Sequence, residues 1–208
     1  MNVRSLPAHA VDVSHDHVIR EVPLLCFTET WMDTAVELQG CKCVSLAKRQ
    51  NHRAAGVAVY ERFDETTLLP RSVPYQLISL PQMTCGDACA VKTSHGFVVA
   101  AVNISPSASR KDIMNFLLHN FSTVCQQDVP VIVTGDFNVN VLRRDNEWLV
   151  AFLGAELGLH LLSDVTQPTT RNNTCLDIVF GKGVASRVHC VPLPTYFSEH
   201  KAVVAVVE

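Results

Sequence analysis

The feature of this sequence that most constrains its fold is a succession of short apolar runs, each five to eight residues long and rich in β-branched residues. They are Pro23–Phe27, Gly56–Tyr60, Gln76–Leu80, Ala88–Thr93, Phe97–Ile104, Pro130–Thr134, Cys175–Phe180, Val184–Val191 and Ala202–Val207. Runs of this length and composition predict buried or half-buried strands. Ser94-His95-Gly96, between two of them, reads as a hairpin turn. Helical patterning is confined to three places. Val11–Val22 is a weakly patterned candidate. Ser109–Gln126 carries Ile113, Phe116, Leu117, Phe121 and Val124 on one stripe, with Ser107 or Ser109 available as cap. Asn146–Leu157 has Trp148, Leu149, Phe152 and Leu153 as its apolar positions and Gly158 as its stop. Many strands with few helices between them predict an α/β (α+β) chain of two packed sheets flanked by helices.

A chain of 208 residues can bury one substantial core, and no repeat, low-complexity tract or linker divides it, so residues 1–208 are expected to form a single domain. Hydrophobic residues make up 48% and charged residues 18%, the balance of an ordered globular protein. Apolar stretches such as Phe97–Val102 and Ala202–Val207 fall far short of the ~20 residues that span a bilayer, so no membrane partner is expected. The N-terminus lacks a basic segment followed by an apolar run and a cleavage site, which predicts an intracellular protein with no secretory signal. On that reading the eight cysteines are reduced thiols, several of them acting as small hydrophobes. The pairs Cys41/Cys43 and Cys85/Cys89 have no partners at zinc-binding spacing. Net charge is −3, which does not mark a nucleic-acid binder as a whole. Lys42, Lys48, Arg49, His52 and Arg53 nevertheless fall within twelve residues, either a phosphate-attracting patch or a solvated loop.

The segment richest in chemical information is Val129–Asn138. Its apolar strand ends in Gly135, followed by Asp136 and Asn138. Residues two apart on an extended chain share a side, so this carboxylate and this amide can converge. An Asx turn closing a strand would use the same residues. Other polar groups also stand at the ends of apolar runs. Glu29 follows Leu24–Phe27, and Glu199 and His200 precede the last strand. Asp177 lies inside an apolar run, where a buried carboxylate needs a partner. Together they supply oxygen ligands suited to Mg²⁺ or Mn²⁺, and an imidazole with a carboxylate to orient it.

At these residues the chain resembles the DNase I-like endonuclease/exonuclease/phosphatase superfamily, and especially the apurinic-type endonuclease domain of non-LTR retrotransposons. The resemblance rests on six ordered segments spanning almost the whole chain. They are Asn2-Val-Arg-Ser-Leu, Leu25-Cys-Phe-Thr-Glu29-Thr-Trp, Arg53-Ala-Ala-Gly-Val-Ala-Val-Tyr60, Gly135-Asp-Phe-Asn138, Thr174-Cys-Leu-Asp177-Ile-Val and Ser198-Glu-His200. It implies a four-layered sandwich with the site at one end of two mostly antiparallel sheets. It further implies that Glu29 and Glu199 bind a Mg²⁺ or Mn²⁺ ion and that Asn2 organises the site. Asp136 would activate or position the attacking water, and Asn138 would hold the scissile phosphate. His200, oriented by Asp177, would donate to a phosphate oxygen. Asn103, Arg53 and Arg171 would bind substrate. A cation and donors of this kind neutralise an anionic phosphodiester that otherwise resists attack.

Three departures from the family pattern accompany the match. Glu199 stands where the family carries Asp. Asn103, in the segment Ala100–Ser107, stands where the family carries a phosphate-binding Tyr. The chain begins almost at Asn2, so the strand that family members carry before this position is expected to be missing. The implied activity is metal-dependent nicking of DNA that leaves a 3′-hydroxyl. DNA is bound through its phosphate backbone, in the nucleus, with a reverse transcriptase or helicase domain fused or acting alongside. Two alternatives stand beside it. One is a phosphatase or phosphodiesterase of the same superfamily acting on another phosphoester, and the other is a catalytically silent nucleic-acid-binding remnant.

Overall fold

The computed structural model describes residues 1–63, 71–77, 84–184 and 188–208. The first layer is helix α1 (Leu6–His15), which rests on strands β1 (Leu24–Thr28), β3 (Val57–Arg62) and β2 (Cys41–Ala47), hydrogen-bonded in the order β1-β3-β2. The opposing sheet has six strands in the order β4 (Val73–Tyr75), β5 (Gly86–Lys92), β6 (Val98–Ile104), β7 (Val131–Asp136), β9 (Asp177–Lys182) and β8 (His160–Leu161). Its outer face is covered by α2 (Arg110–Gln126) and α3 (Glu147–Leu157). The last two strands, β10 (Val188–Leu193) and β11 (Ala202–Val207), form an antiparallel ribbon. All strand pairs are antiparallel except β6–β7.

Strand alternation sorts the core into three clusters. Leu25, Phe27, Ala58 and Tyr60 face α1. Cys26, Val57, Val59, Cys89, Val91, Val99, Ala101, Ile132 and Val179 fill the space between the sheets, joined by Val188, Cys190 and Val203 of the ribbon. Val98, Ala100, Val102, Ile104, Val131, Val133, Ile178 and Phe180 face the helices. β6 is buried along its whole length, which is why it reads as a continuous apolar run rather than an alternating one. The result is the helix–sheet–sheet–helix sandwich expected from the sequence.

α2 starts where expected, because the Ser109 hydroxyl accepts from the Asp112 amide and donates to the Asp112 carboxylate. α3 ends at Gly158, which takes the left-handed conformation at φ 64°. The hairpin at Ser94–Gly96 is present, with Gly96 at φ 83°. All eight cysteines are free thiols.

Four expectations need correction. The first helix lies at Leu6–His15 rather than Val11–Val22, with Pro7 in its opening turn. Asp16 then turns extended and caps a separate short 3₁₀ turn, Ile19–Glu21, through the amides of Val18 and Ile19. The strand Cys41–Ala47 was not expected. It is an edge strand, polar at Lys42 and Ser45 and broken by an irregularity between Cys43 and Ser45, so no continuous apolar run marks it. The strand placed at Gln76–Leu80 forms instead at Val73–Tyr75, and residues 78–80 lie outside the described residues. Within Val184–Val191 the strand begins at Val188, and residues 185–187 are likewise outside. Among the described residues, no helix is long and apolar enough to cross a membrane.

Candidate active site

At one end of the sandwich the face of the six-stranded sheet that looks toward the other sheet changes from apolar to polar in a single step. Asp87 of β5 is in register with Asn103 of β6, Asn103 with Asp136 of β7, and Asp136 with Asp177 of β9. Four polar residues thus form one lateral row across four adjacent strands. Two residues deeper, the row is Cys89, Ala101, Thr134 and Val179. The row is buried, with exposures of 4%, 2%, 1% and 2% for Asp87, Asn103, Asp136 and Asp177. Buried carboxylates need partners, and the surrounding loops supply them.

Gly135 makes the row possible. Its φ is 144°, and a Cβ there would sit 1.9 Å from the Val102 carbonyl oxygen. Only glycine lets β7 run this close beside β6. Past the strand, Asn138 turns left-handed at φ 50° and donates its amide N–H to Asp136 Oδ1 at 3.0 Å. Its Nδ2 donates to the Ile104 carbonyl at 2.7 Å. The sequence Asp136-Phe-Asn138 therefore closes an Asx turn, and the same turn delivers both side chains to the site.

Asn2 is the hub. It is fully buried, and its Nδ2 donates to Glu29 Oε1 at 2.8 Å and to Asp136 Oδ2 at 2.9 Å. Its Oδ1 accepts from the Arg4 amide, and its carbonyl accepts from Ser198 Oγ. Ser198 Oγ in turn accepts from the His200 amide at 3.1 Å. Asn2 is held beside the end of β1 by parallel bridging to Thr28.

His200 Nδ1 lies 2.8 Å from Asp177 Oδ2 and 3.8 Å from Asp136 Oδ2. An ionised carboxylate only accepts, so Nδ1 carries a hydrogen and the ring's other nitrogen is left for a ligand. Burial pulls the imidazole toward the neutral form. The hydrogen bond and charge of Asp177, with the charges of Asp136 and Glu29, outweigh that and hold its pKa above the ordinary value. Burial, then the Asp177 charge, push the Asp136 carboxyl up to about 7, against the opposing pull of His200, Asn2 and Asn138. Asp177 is braced by Thr169, whose Oγ1 accepts from the amides of Leu176 and Asp177. Its other oxygen, Oδ1, is buried without a hydrogen-bond partner among the described residues.

This arrangement fits a hard divalent cation. Glu29, Asp136 and Asp177 gather round a single imidazole, an excess of negative charge and oxygen donors, and one buried carboxylate oxygen has no donor. Ligand atoms of Asp136, Asp177 and His200 all lie within 4.8 Å of one another. The side chain of Glu199, expected as a metal ligand, is 57% exposed, and its carboxylate pairs with Arg4 at 2.9 Å. The Arg171 amide donates to the Glu199 carbonyl, which sets Arg171 at the rim, exposed. Arg53 is exposed on the turn before β3, and Asn103 stands in the row beside Asp136. The basic cluster is divided. Lys42 is in β2, Lys48 pairs with Asp33, Arg49 pairs with Asp87, and His52 and Arg53 are exposed.

Sequence reading missed Thr169, Arg4 and Asp87. Thr169 and Arg4 carry no pattern of their own. Asp87 does leave a trace, as a lone acid at the mouth of an apolar strand. Backbone strain also collects here. Seven described non-glycine residues have positive φ, and Arg4, Ser5, Glu29, Trp31 and Asn138 are among them. Such conformations cost about 1–3 kcal/mol each and persist where neighbours enforce them.

Two sheets meeting at a buried acid–imidazole cluster supply the donors that metal-assisted hydrolysis of an anionic ester needs. Residues 1–200 match the Endonuclease/Exonuclease/phosphatase family, and the chain belongs to it. Membership implies metal-dependent phosphoester hydrolysis, in a family of nucleases and phosphatases. Among solved structures, the chain is similar to the endonuclease domain of TRAS1, a telomere-specific non-LTR retrotransposon, at 15% identity and TM-score 0.69, covering 100% of this chain and 96% of that one. It is similar to the 3′ phosphatase NExo from Neisseria, bound to a product DNA hairpin, at 17% identity and TM-score 0.71, covering 100% and 97%. An AP endonuclease from Archaeoglobus fulgidus matches at 16% identity and TM-score 0.70, also covering 100% and 97%. No curated protein sequence matches the chain.

Proposed function

We propose that this chain is a Mg²⁺- or Mn²⁺-dependent endonuclease that nicks DNA. The observation that carries the reading is the single cluster of hydrogen bonds and ion pairs linking Glu29, Asn2, Asp136, Asp177 and His200. Glu29 would hold the metal, with the carboxylates of Asp136 and Asp177 beside it. When bound, the cation would supply Lewis-acid neutralisation of the phosphate charge. Asp136 accepts a proton from the attacking water, whose oxygen forms the new bond to phosphorus. The bond from phosphorus to the 3′ oxygen breaks, and that oxygen takes a proton from solvent to leave a 3′-hydroxyl and a 5′-phosphate. His200, kept protonated by Asp177, donates to a non-bridging oxygen and stabilises the charge that develops there. Asn2 fixes the distance between Glu29 and Asp136, and Asn138 and Asn103 present amides to the phosphate. Arg53 and Arg171 meet the flanking backbone.

DNA is favoured as substrate because the similar structures include a retrotransposon endonuclease domain, an AP endonuclease and a phosphatase bound to DNA. A nuclear site of action, with a reverse transcriptase or helicase acting alongside, belongs to the same reading. The test is conversion of supercoiled plasmid to open circles by purified protein. Nicking is expected with Mg²⁺ or Mn²⁺ and none with EDTA. Hydrolysis of a 3′-phosphorylated oligonucleotide without plasmid nicking would make the chain a phosphatase instead, and turnover of neither would leave a silent binding domain.

A further inference from the structure

Asp87 belongs to the polar row but not to the acid–imidazole cluster. Its side chain is fully buried, and every bond it makes goes to one surface segment. Oδ1 accepts from the Arg49 amide, while Oδ2 accepts from Arg49 Nη1 at 2.8 Å and from the Gly56 amide at 3.0 Å. One carboxylate therefore fastens both ends of the arch from Arg49 to Gly56. Between those ends, Gln50, Asn51, His52, Arg53 and Ala54 are all exposed, and Asn51 is left-handed at φ 61°. The closing glycine is fixed from both sides: its φ is 107°, and a Cβ would meet Thr30 Oγ1 at 2.6 Å. The carbonyls of Ala55 and Gly56 accept from the amides of Trp31 and Thr30, tying the arch to the segment that carries Glu29.

A buried ion pair is a poor source of stability compared with apolar residues of the same shape, so its presence asks for another role. Asp87 lies two strands from Asp136 in the same row, about 10 Å away. We propose that the Asp87–Arg49 pair is a positioning clamp that sets the arch beside the catalytic cluster, so that Arg53 and His52 meet the phosphate backbone of the substrate. Asp87 touches no substrate itself. This rests on the reading that a nucleic acid is the substrate. It goes beyond that reading by assigning backbone affinity to an acidic residue, which on charge alone would oppose it.

The experiment measures binding of a fluorescent duplex oligonucleotide by anisotropy in EDTA over a series of NaCl concentrations. Wild type is compared with Arg53→Ala, Asp87→Asn, Asp87→Asn combined with Arg53→Ala, and the apolar replacement Asp87→Leu with Arg49→Met. Arg53→Ala is expected to weaken binding and to lower the slope of log affinity against log salt by ~0.9, the value for one phosphate contact. Asp87→Asn should weaken binding at least as much, and adding Arg53→Ala should then change little, because the arch no longer presents the arginine. The apolar replacement leaves the amides of Arg49 and Gly56 without their acceptor, so it should melt below wild type, and at a temperature where circular dichroism shows it folded it should still lose affinity. Undiminished affinity in that folded variant would overturn the clamp, as would full additivity of Asp87→Asn and Arg53→Ala. Wild type that does not bind the oligonucleotide would overturn the clamp as well. Plasmid nicking is scored separately. If the binding pattern holds without nicking, the endonuclease reading fails and the clamp stands.

Discussion

Asn2 donates one amide to two carboxylates that would otherwise repel, so it fixes Glu29 and Asp136 relative to each other. The residues it joins are separable by mutation. Asp136→Ala and His200→Ala should each lower metal-dependent nicking by ~10²–10³-fold, because the proposed mechanism assigns the water's proton to the first and the developing charge to the second. Asp136 ends β7 and His200 lies in the loop before β11, so circular dichroism should remain close to wild type, and a well-folded Asp136→Ala variant with near-normal nicking would sink the assignment. Glu199→Ala should be much milder, since its carboxylate is half-exposed on Arg4, and exposed pairs contribute little. If it proved the most severe change, the essential carboxylate would have to be moved. Asn103→Tyr should hold or raise the nicking rate, because Asn103 stands beside Asp136 where a longer donor would reach further toward the phosphate.

Strand β7 is the element on which the site depends, and Gly135 is its weakest point. Substitution by alanine would drive a methyl group into the Val102 carbonyl and strain a φ of 144° as well. β7 can respond only by moving away from β6, which breaks the register that places Asn103, Asp136 and Asp177 in a line. Overpacking of this kind typically costs about 1–3 kcal/mol, and the backbone strain adds to it. Gly135→Ala should therefore lower the denaturant midpoint and abolish nicking together. A variant with wild-type stability would show that the close approach of β6 and β7 is not obligatory. Helix α2 offers a contrast, since it packs on the outer face of the sheet and is held by an ordinary cap. Ser109→Ala should cost ~1 kcal/mol in denaturant titration and leave nicking unchanged.

For the whole molecule, the site makes stability depend on pH and metal together. Asp136 titrates at about 7 when folded, above the ~3.9 of an unfolded aspartate. A raised folded value means that the folded state holds the proton more tightly. That contribution is fully present below ~4 and is lost as pH rises through about 7. His200 is raised as well, so its contribution is lost in the same direction, above ~6.5. Without metal, the melting temperature measured in EDTA should fall from pH 5.5 to pH 8, with Asp136 contributing the part of its raised pKa that lies above pH 5.5. Mg²⁺ should restore more at pH 8 than at pH 5.5, because a cation favours the deprotonated carboxylates. Asp136→Asn should flatten the metal-free profile and melt above wild type at pH 8. A wild-type melting temperature in EDTA that is equal or higher at pH 8 would contradict the buried-carboxylate account.

Much of this molecule is determined locally, and such features can be read from residues in order. Period and composition set most strands, the Ser109 cap and Gly158 set two helix ends, and Gly135-Asp-Phe-Asn138 sets a turn whose chemistry is in its own side chains. Six ordered segments then identify the family, and with it Asn2, Glu29, Asp136, Asp177 and His200 as a group. The edge strand Cys41–Ala47 was not legible, because Lys42 and Ser45 interrupt its apolar residues and its pairing with β3 supplies what its composition does not. The direction of a side chain at a loop end was not legible either. Glu199 sits in the family motif, yet a partner 195 residues away, Arg4, decides where its carboxylate points. Asp87 shows the same limit. That a lone acid lies in a strand is local, but its burial, its register with Asn103 and its hold on both ends of the arch exist only once two sheets have packed. Local propensity acts over a few bonds, whereas charge pairing and burial act through space, and it is these that the tertiary structure decides.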